Sequence, residues 1–186
     1  MLYKTVKING RSKHPALTNS SNGQNMHRNA TINDLNFIFE LIMDGVKSGY
    51  FNRKFQELPA AANGLHLELA SILTDKTRAN GLTAYGIIYE NKGKRAGFVL
   101  MSAGEEDKGN ELWMASIKPN LRGKGFGKKM IQGVLEQFKG RNLMLFARCA
   151  QESKAMFNLL SKNGFKHVAT GEEGYRGMMY ELQQSH

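Results

Sequence analysis

Apolar residues recur at two periods along this chain, and the change of period divides it. Leu35, Ile38, Phe39, Ile42 and Val46 follow the spacing of one helix face, and Gly49 ends the run. Thr31-Ile32-Asn33-Asp34 ahead of them resembles a capping box with Asp in place of the usual Glu. Leu65, Leu69, Ile72 and Leu73 mark a second helix that ends before Gly81. The stretch from Tyr50 to Phe55 between them mixes aromatics and cations near a turn. The pattern then becomes strand-like over Thr83–Glu90, Ala96–Ser102 and Glu111–Ile117, with Asn91-Lys92-Gly93-Lys94 as a hairpin turn and 104–110 as a polar loop. Phe126, Met130, Ile131, Val134, Leu135 and Phe138 stripe a helix that follows Gly125. A strand over Leu143–Arg148, a helix over Ser153–Lys162 and strands over Phe165–Ala169 and Met178–Leu182 complete the chain. With no repeat and no linker, this reads as one mixed α/β domain.

Composition narrows the class. The 186 residues are 41% hydrophobic, enough for a core of ordinary size. No apolar run approaches the ~20 residues that span a bilayer, and the N-terminus lacks the apolar region of a signal peptide. A single cysteine excludes a disulfide framework within the chain and fits a reducing compartment, so a cytoplasmic location is expected. The net charge of +10 is local. Residues 1–30 hold five cations and no acid, residues 118–129 hold five more and no acid, and the remainder balances. Residues 1–25 read as a flexible basic arm, with Val6-Lys7-Ile8 as its one alternating piece, and residues 26–186 as the domain. The acid-poor start also faintly resembles a mitochondrial transit peptide.

The chemistry concentrates where an apolar strand, Leu112–Ile117, runs into a loop of three glycines and then into the striped helix. Glycines at 123, 125 and 127 let the backbone approach a ligand closely and present successive N–H groups. The helix start adds unpaired N–H groups and the positive end of its dipole. Arg122, Lys124, Lys128 and Lys129 add full charge, so the arrangement suits a diphosphate. Two familiar phosphate loops fail on spacing. A dinucleotide fingerprint needs Gly or Ala where Lys128 stands, and a Walker loop needs Ser or Thr where Lys129 stands.

The spacing that does match is Arg-x-x-Gly-x-Gly at Arg122, Gly125 and Gly127. Strand, loop and helix together resemble the acetyl-CoA site of the GNAT acetyltransferase superfamily. A second signature of that superfamily, a helix ending in Gly-Phe, is matched by Ser153 to Gly164-Phe165. The resemblance covers about residues 26–182 and extends to the order of elements. It implies a mostly antiparallel mixed sheet with about four flanking helices, one in each helical stretch read above. It also implies direct transfer of an acetyl group from acetyl-CoA to a primary amine of a small molecule or peptide.

On that resemblance the backbone of Arg122, Gly123, Lys124, Gly125, Phe126, Gly127 and Lys128 would hold the pyrophosphate. Ser116 and Ile117 would pair with the pantetheine arm, a backbone N–H near Ile117 would polarise the thioester, and Ser153 and Phe157 would complete the cofactor site. Glu111 opens the strand six residues before Ile117, where the histone-modifying branch carries its catalytic Glu; it is the candidate base, and a solvated strand-edge carboxylate is the alternative. Many members place a Tyr four residues before the Gly of Gly-Phe to protonate the leaving thiolate, and here Leu160 stands there. Tyr175 or Tyr180 is the substitute acid, each with a structural role as the alternative. The acceptor would lie by Tyr50, Phe51 and Arg53 and the segment 171–178.

Other features carry less. Cys149 has no His-type partner nearby, the five histidines show no ligand spacing, and no metal is expected. Trp113 reads as core or as a wall of the acceptor pocket. A non-catalytic acyl-CoA-binding module, motivated by Leu160, and an acetyltransferase with a nucleic-acid-associated substrate, motivated by the arm, are the competing functions. The balanced domain gives no reason of its own to expect a nucleic acid, no membrane partner is expected, and homodimers are common among such proteins.

Overall fold

The computed structural model describes residues 25–104, 109–141, 143–171 and 174–182. The arm before Asn25 and the acidic residues Glu105, Glu106 and Asp107 lie outside them. The strands are Asn25–Asn29 (β1), Ala84–Asn91 (β2), Lys94–Ala103 (β3), Asn110–Ile117 (β4), Leu143–Cys149 (β5), Lys166–Thr170 (β6) and Arg176–Leu182 (β7). The helices are Leu35–Lys47 (α1), Lys54–Glu57 (α2), Pro59–Thr74 (α3), Phe126–Gln137 (α4) and Lys154–Lys162 (α5). One sheet runs in the order β1-β2-β3-β4-β5-β7-β6. Every pair in it is antiparallel except β4 with β5.

Each face of the sheet has its own core. Ile38, Leu41 and Ile42 of α1 and Leu65, Leu69 and Leu73 of α3 cover Ile88, Phe98, Leu100 and Met114. Met130, Ile131 and Val134 of α4 and Leu160 of α5 cover Ile87, Val99, Leu112, Ala115, Ile117, Leu145 and Ala147. Strand alternation sends neighbouring residues of β2 and β3 to opposite cores, so these strands read as nearly continuous apolar runs. The β2–β3 turn places Lys92 at φ 51° and Gly93 at φ 69°. Both centres are left-handed, as a two-residue hairpin requires.

Two elements differ from the sequence expectation. β1, Asn-Met-His-Arg-Asn, carries almost no strand signal and is recruited by pairing with β2 from Asn25–Asn91 to Asn29–Ile87. The turn after Tyr50 holds the short helix α2, and α3 starts at Pro59, which is preorganised for a first helical position.

β1 is fastened on both faces. On one, Arg28 donates both terminal nitrogens to the Asp34 carboxylate at 2.8 and 2.9 Å and its Nε to Glu90 at 2.7 Å. The Thr31 N–H also donates to Asp34, at 3.0 Å, which makes the expected cap real. Burial pushes the Asp34 carboxyl up, but the bonds from Arg28 and Thr31 outweigh it and hold the group at about 2. The folded value lies below the unfolded one, so this stabilisation is full above the unfolded pKa and is lost as pH falls toward the folded one. Its size is about 2 kcal/mol, disappearing between about pH 4 and pH 2. Urea titrations of Asp34→Asn should show lower stability at neutral pH and a flatter loss over that range than the native chain.

On the other face His27 Nε2–H donates to the Met130 carbonyl of α4 at 3.1 Å, and burial pulls its pKa down. The ring lies where a side chain at Gly133 would go: an added Cβ would overlap it. Gly133→Ala should therefore destabilise by about 1–3 kcal/mol through overpacking. In a His27→Ala background the same change should stabilise by up to about 1 kcal/mol, the ordinary helix preference for Ala. A chemical-denaturation double-mutant cycle measures both signs.

Candidate active site

The parallel pair β4–β5 is short. It joins Asn110–Leu145, Glu111–Phe146 and Leu112–Ala147 and then ends, although both strands continue. β3 and β7 hold the outer edges of the two strands throughout. The sheet therefore splits beyond Leu112, with β4 as one wall and β5 as the other. Lys118 N–H is bonded to the Ala96 carbonyl of β3 at 2.9 Å. Antiparallel alternation consequently turns the backbone groups of Ala115 and Ile117 the other way, into the split.

A bulge sits at its inner end. Leu100 pairs with Met114 and Met101 with Leu112, so Trp113 is the extra residue. The bulge changes the phase of the strand. Leu112 faces the α4 core, Trp113 and Met114 both meet the α1/α3 core, and Ala115 and Ile117 return to the α4 side.

The outer end of the split leads into the glycine loop. Gly123 and Gly125 have φ of 73° and 80°, with open space where a Cβ would stand. Gly127 serves a different purpose: an added Cβ there would press on Leu159 of α5 at 3.2 Å. Two glycines thus shape the cradle, and the third lets α4 approach α5. The loop ends at α4, whose N-cap is Gly125. Backbone donors and a helix start at the mouth of an open-edged strand are the kind of groups that hold a diphosphate.

The charge around the loop is smaller than the sequence count implies. Arg122 donates through Nη2 to Asp44 of α1 at 2.7 Å and through Nε to the Ile117 carbonyl at 3.0 Å. Lys118 extends over the Phe37 ring, 5.5 Å from its centre, on the α1 face. Lys124 reaches back to the Asn120 carbonyl at 3.0 Å. Lys128 and Lys129 stand exposed on the first turn of α4.

The remaining sequence candidates separate. The Ser116 hydroxyl points along its own strand, 3.5 Å from the Ile117 carbonyl. Ser153 stands at the N-cap position of α5 and its hydroxyl donates to the Tyr50 carbonyl at 3.3 Å instead of capping the helix, binding the α1–α2 loop to the β5 side of the mouth. Phe157 turns toward β6 and β7, with Arg176 4.2 Å above its ring and His167 at its edge. Tyr50 lies exposed near Arg122, Phe51 packs onto α1 at Gly45, and Arg53 is exposed at the start of α2, so the three do not converge. Tyr175 accepts a backbone bond from Gly171, while Leu160 is fully buried in the α5 core. Burial pushes the Cys149 thiol up to about 11, against a smaller downward pull from Arg176, so it is poorly suited to nucleophilic work. Among the described residues there is no His/Cys/Asp/Glu group for a metal, and no helix is long and apolar enough to cross a membrane.

Glu111 is paired. It accepts from Arg148 Nε at 2.8 Å across the last rungs before the split and is itself mostly buried. Three partners were invisible in the sequence: Asp44 for Arg122, Arg148 for Glu111, and Arg78 for Trp113. Asp44 comes from α1, Arg148 from β5 and Arg78 from the loop after α3, each far along the chain from the residue it meets.

The model of the acetyltransferase (GNAT) family matches residues 50–165. No curated protein sequence matches the chain. Solved structures with the same fold include an aminoglycoside N(6')-acetyltransferase from Legionella pneumophila, 13% identical, with a TM-score of 0.64 over 88% of this chain and 95% of that one. A spermidine N-acetyltransferase from Vibrio cholerae, in complex with CoA and spermine, is 20% identical, with a TM-score of 0.61 over 87% and 97%. The PaiA N-acetyltransferase from Thermoplasma acidophilum, in complex with coenzyme A, is 16% identical, with a TM-score of 0.62 over 84% and 98%.

Proposed function

Because the chain belongs to the GNAT acetyltransferase family, we propose that it transfers an acetyl group from acetyl-CoA to a primary amine in one direct step. The observation that carries this reading is the split between β4 and β5, open along the backbone of Ala115 and Ile117 and ending in the glycine cradle. When bound, acetyl-CoA supplies a thioester that a neutral amine attacks, with the thiol as leaving group.

The chain's own residues then have distinct tasks. The backbone from Gly123 to Lys128 and the start of α4 hold the pyrophosphate, with Lys128 and Lys129 adding charge. Ala115 and Ile117 offer N–H groups to the pantetheine amides and, toward the inner end, to the thioester carbonyl. Such donors are worth roughly 3–4 kcal/mol each where they stabilise a developing oxyanion. Glu111 accepts the proton of the incoming ammonium through water, and Arg148 orients its carboxylate. Arg122 acts through its bonds to Asp44 and Ile117, which set the position of the loop. No tyrosine occupies the position of Leu160, so the thiolate leaves with water as its proton source; a thiol of pKa near ~8.5 is a tolerable leaving group.

Thiol release from acetyl-CoA across a panel of primary amines tests the reading, and turnover with at least one amine is expected. The buried Leu160 supports a second reading, a non-catalytic acyl-CoA-binding module. Tight CoA binding with no turnover on any amine would favour that module.

A further inference from the structure

Trp113 is the chain's only tryptophan, and the bulge gives it an unusual station. It is the first residue of β4 beyond the last rung to β5, and its side chain stands on the α1/α3 side at the inner end of the split. It is half-buried, so part of the indole remains open. One face is covered by the Arg78 guanidinium, 3.8 Å from the ring centre. Glu68 of α3 anchors that guanidinium at 3.0 Å. An indole locked in this way is a rigid surface beside the place where an acceptor amine must meet the thioester.

Three carboxylates near this side already hold arginine partners. Glu111 is paired with Arg148, Asp44 with Arg122 and Glu68 with Arg78. Glu152, beside Gly49, is a carboxylate without an arginine partner among the described residues. A polyamine needs several unpaired carboxylates along its length, because each ammonium left in a partly desolvated groove without a partner is costly. A flat apolar group needs only a ring face.

We infer that Trp113 is the platform for the acceptor's carbon skeleton, and that the acceptor is a monoamine with a flat apolar body rather than a polyamine. Arg78 and Glu68 are positioning residues that hold the indole in place. The inference rests on the acetyl-transfer reading above, and the experiment separates the two.

CoA binding to the full-length protein is measured first by calorimetry. Phenylethylamine and spermidine are then titrated into the CoA complex while the emission of Trp113 is followed, and both are assayed for thiol release from acetyl-CoA. Phenylethylamine should change the emission saturably and spermidine should not. The kcat/KM for phenylethylamine should exceed that for spermidine by about tenfold, the equivalent of one good ring contact. Trp113→Ala should raise the KM for phenylethylamine by about tenfold, with the KM for acetyl-CoA within about twofold of native. Trp113→Phe, which keeps a ring and guards against a folding defect, should fall between the two. Arg78→Ala should raise the amine KM and broaden the Trp113 emission, while Arg78→Lys should restore part of both.

Preference for spermidine, or an amine KM indifferent to Trp113→Ala in a protein that turns over amines, overturns the inference and leaves acetyl transfer standing. CoA binding with neither amine perturbing the emission or being acetylated also overturns it. Failure to bind CoA at all removes the acetyl-transfer reading, and the inference with it.

Discussion

Gly125→Glu should weaken acetyl-CoA binding by about 100-fold or more while leaving a folded protein. Gly125 has φ 80°, so any side chain there is strained by about 1–2 kcal/mol. Nothing lies within 4 Å of the position a Cβ would take, so the fold has room for the change. The loss falls on the ligand. A carboxylate placed in a cradle of backbone donors repels the diphosphate and competes for the same N–H groups, and a few kcal/mol of such interference corresponds to two orders of magnitude in Kd. Calorimetric titration with CoA, beside a thermal melt, separates the two effects. Gly125→Ala should reproduce the strain without the repulsion and lose far less affinity. Equal binding by native and Gly125→Glu protein would mean that the cradle is not the cofactor site.

The second large effect belongs to Glu111. Glu111→Gln should lower kcat by about 10²–10³-fold, the usual worth of a positioned base, with the KM for acetyl-CoA nearly unchanged. The amide keeps the size of the carboxylate and an oxygen for Arg148, so stability should move little. The discriminating measurement is the pH profile. With the base removed, the residual rate should recover as pH rises and the free-amine fraction of the substrate grows. A carboxylate that serves only to pair with Arg148 predicts native kcat at every pH, and that result would return Glu111 to a structural role.

The fold was largely legible because its elements are strongly patterned. The stripes of α1 and α4, the apolar runs of β2 to β4 and the Lys92-Gly93 turn each carry a local signal that tertiary packing reinforces. β1 was not legible, since its five residues owe their conformation to the edge of β2 and to two anchors from afar, Arg28 on Glu90 and His27 on Met130. The glycine loop announced itself by spacing, but three glycines in one motif concealed two purposes. Gly123 and Gly125 adopt left-handed backbone, whereas Gly127 makes room for Leu159.

The charge shows the same boundary. Five cations between Lys118 and Lys129 look like one patch when counted along the chain. In three dimensions Lys118 crosses to the α1 face and Arg122 is neutralised by Asp44, a residue 78 positions earlier. A formal charge is a property of sequence, but the field it makes depends on partners that only the fold supplies.

By itself, then, the sequence determined the element order, the phosphate-type loop and the family it points to, because helical stripes, strand alternation and glycine spacing are local properties. The tertiary structure decided where the sheet opens, which backbone groups face the opening, and that the Trp113 bulge sets its inner end. It also decided which arginines pair with Glu111, Asp44 and Glu68. Those outcomes depend on strand register and on contacts between residues far apart in the chain, and no local pattern encodes them.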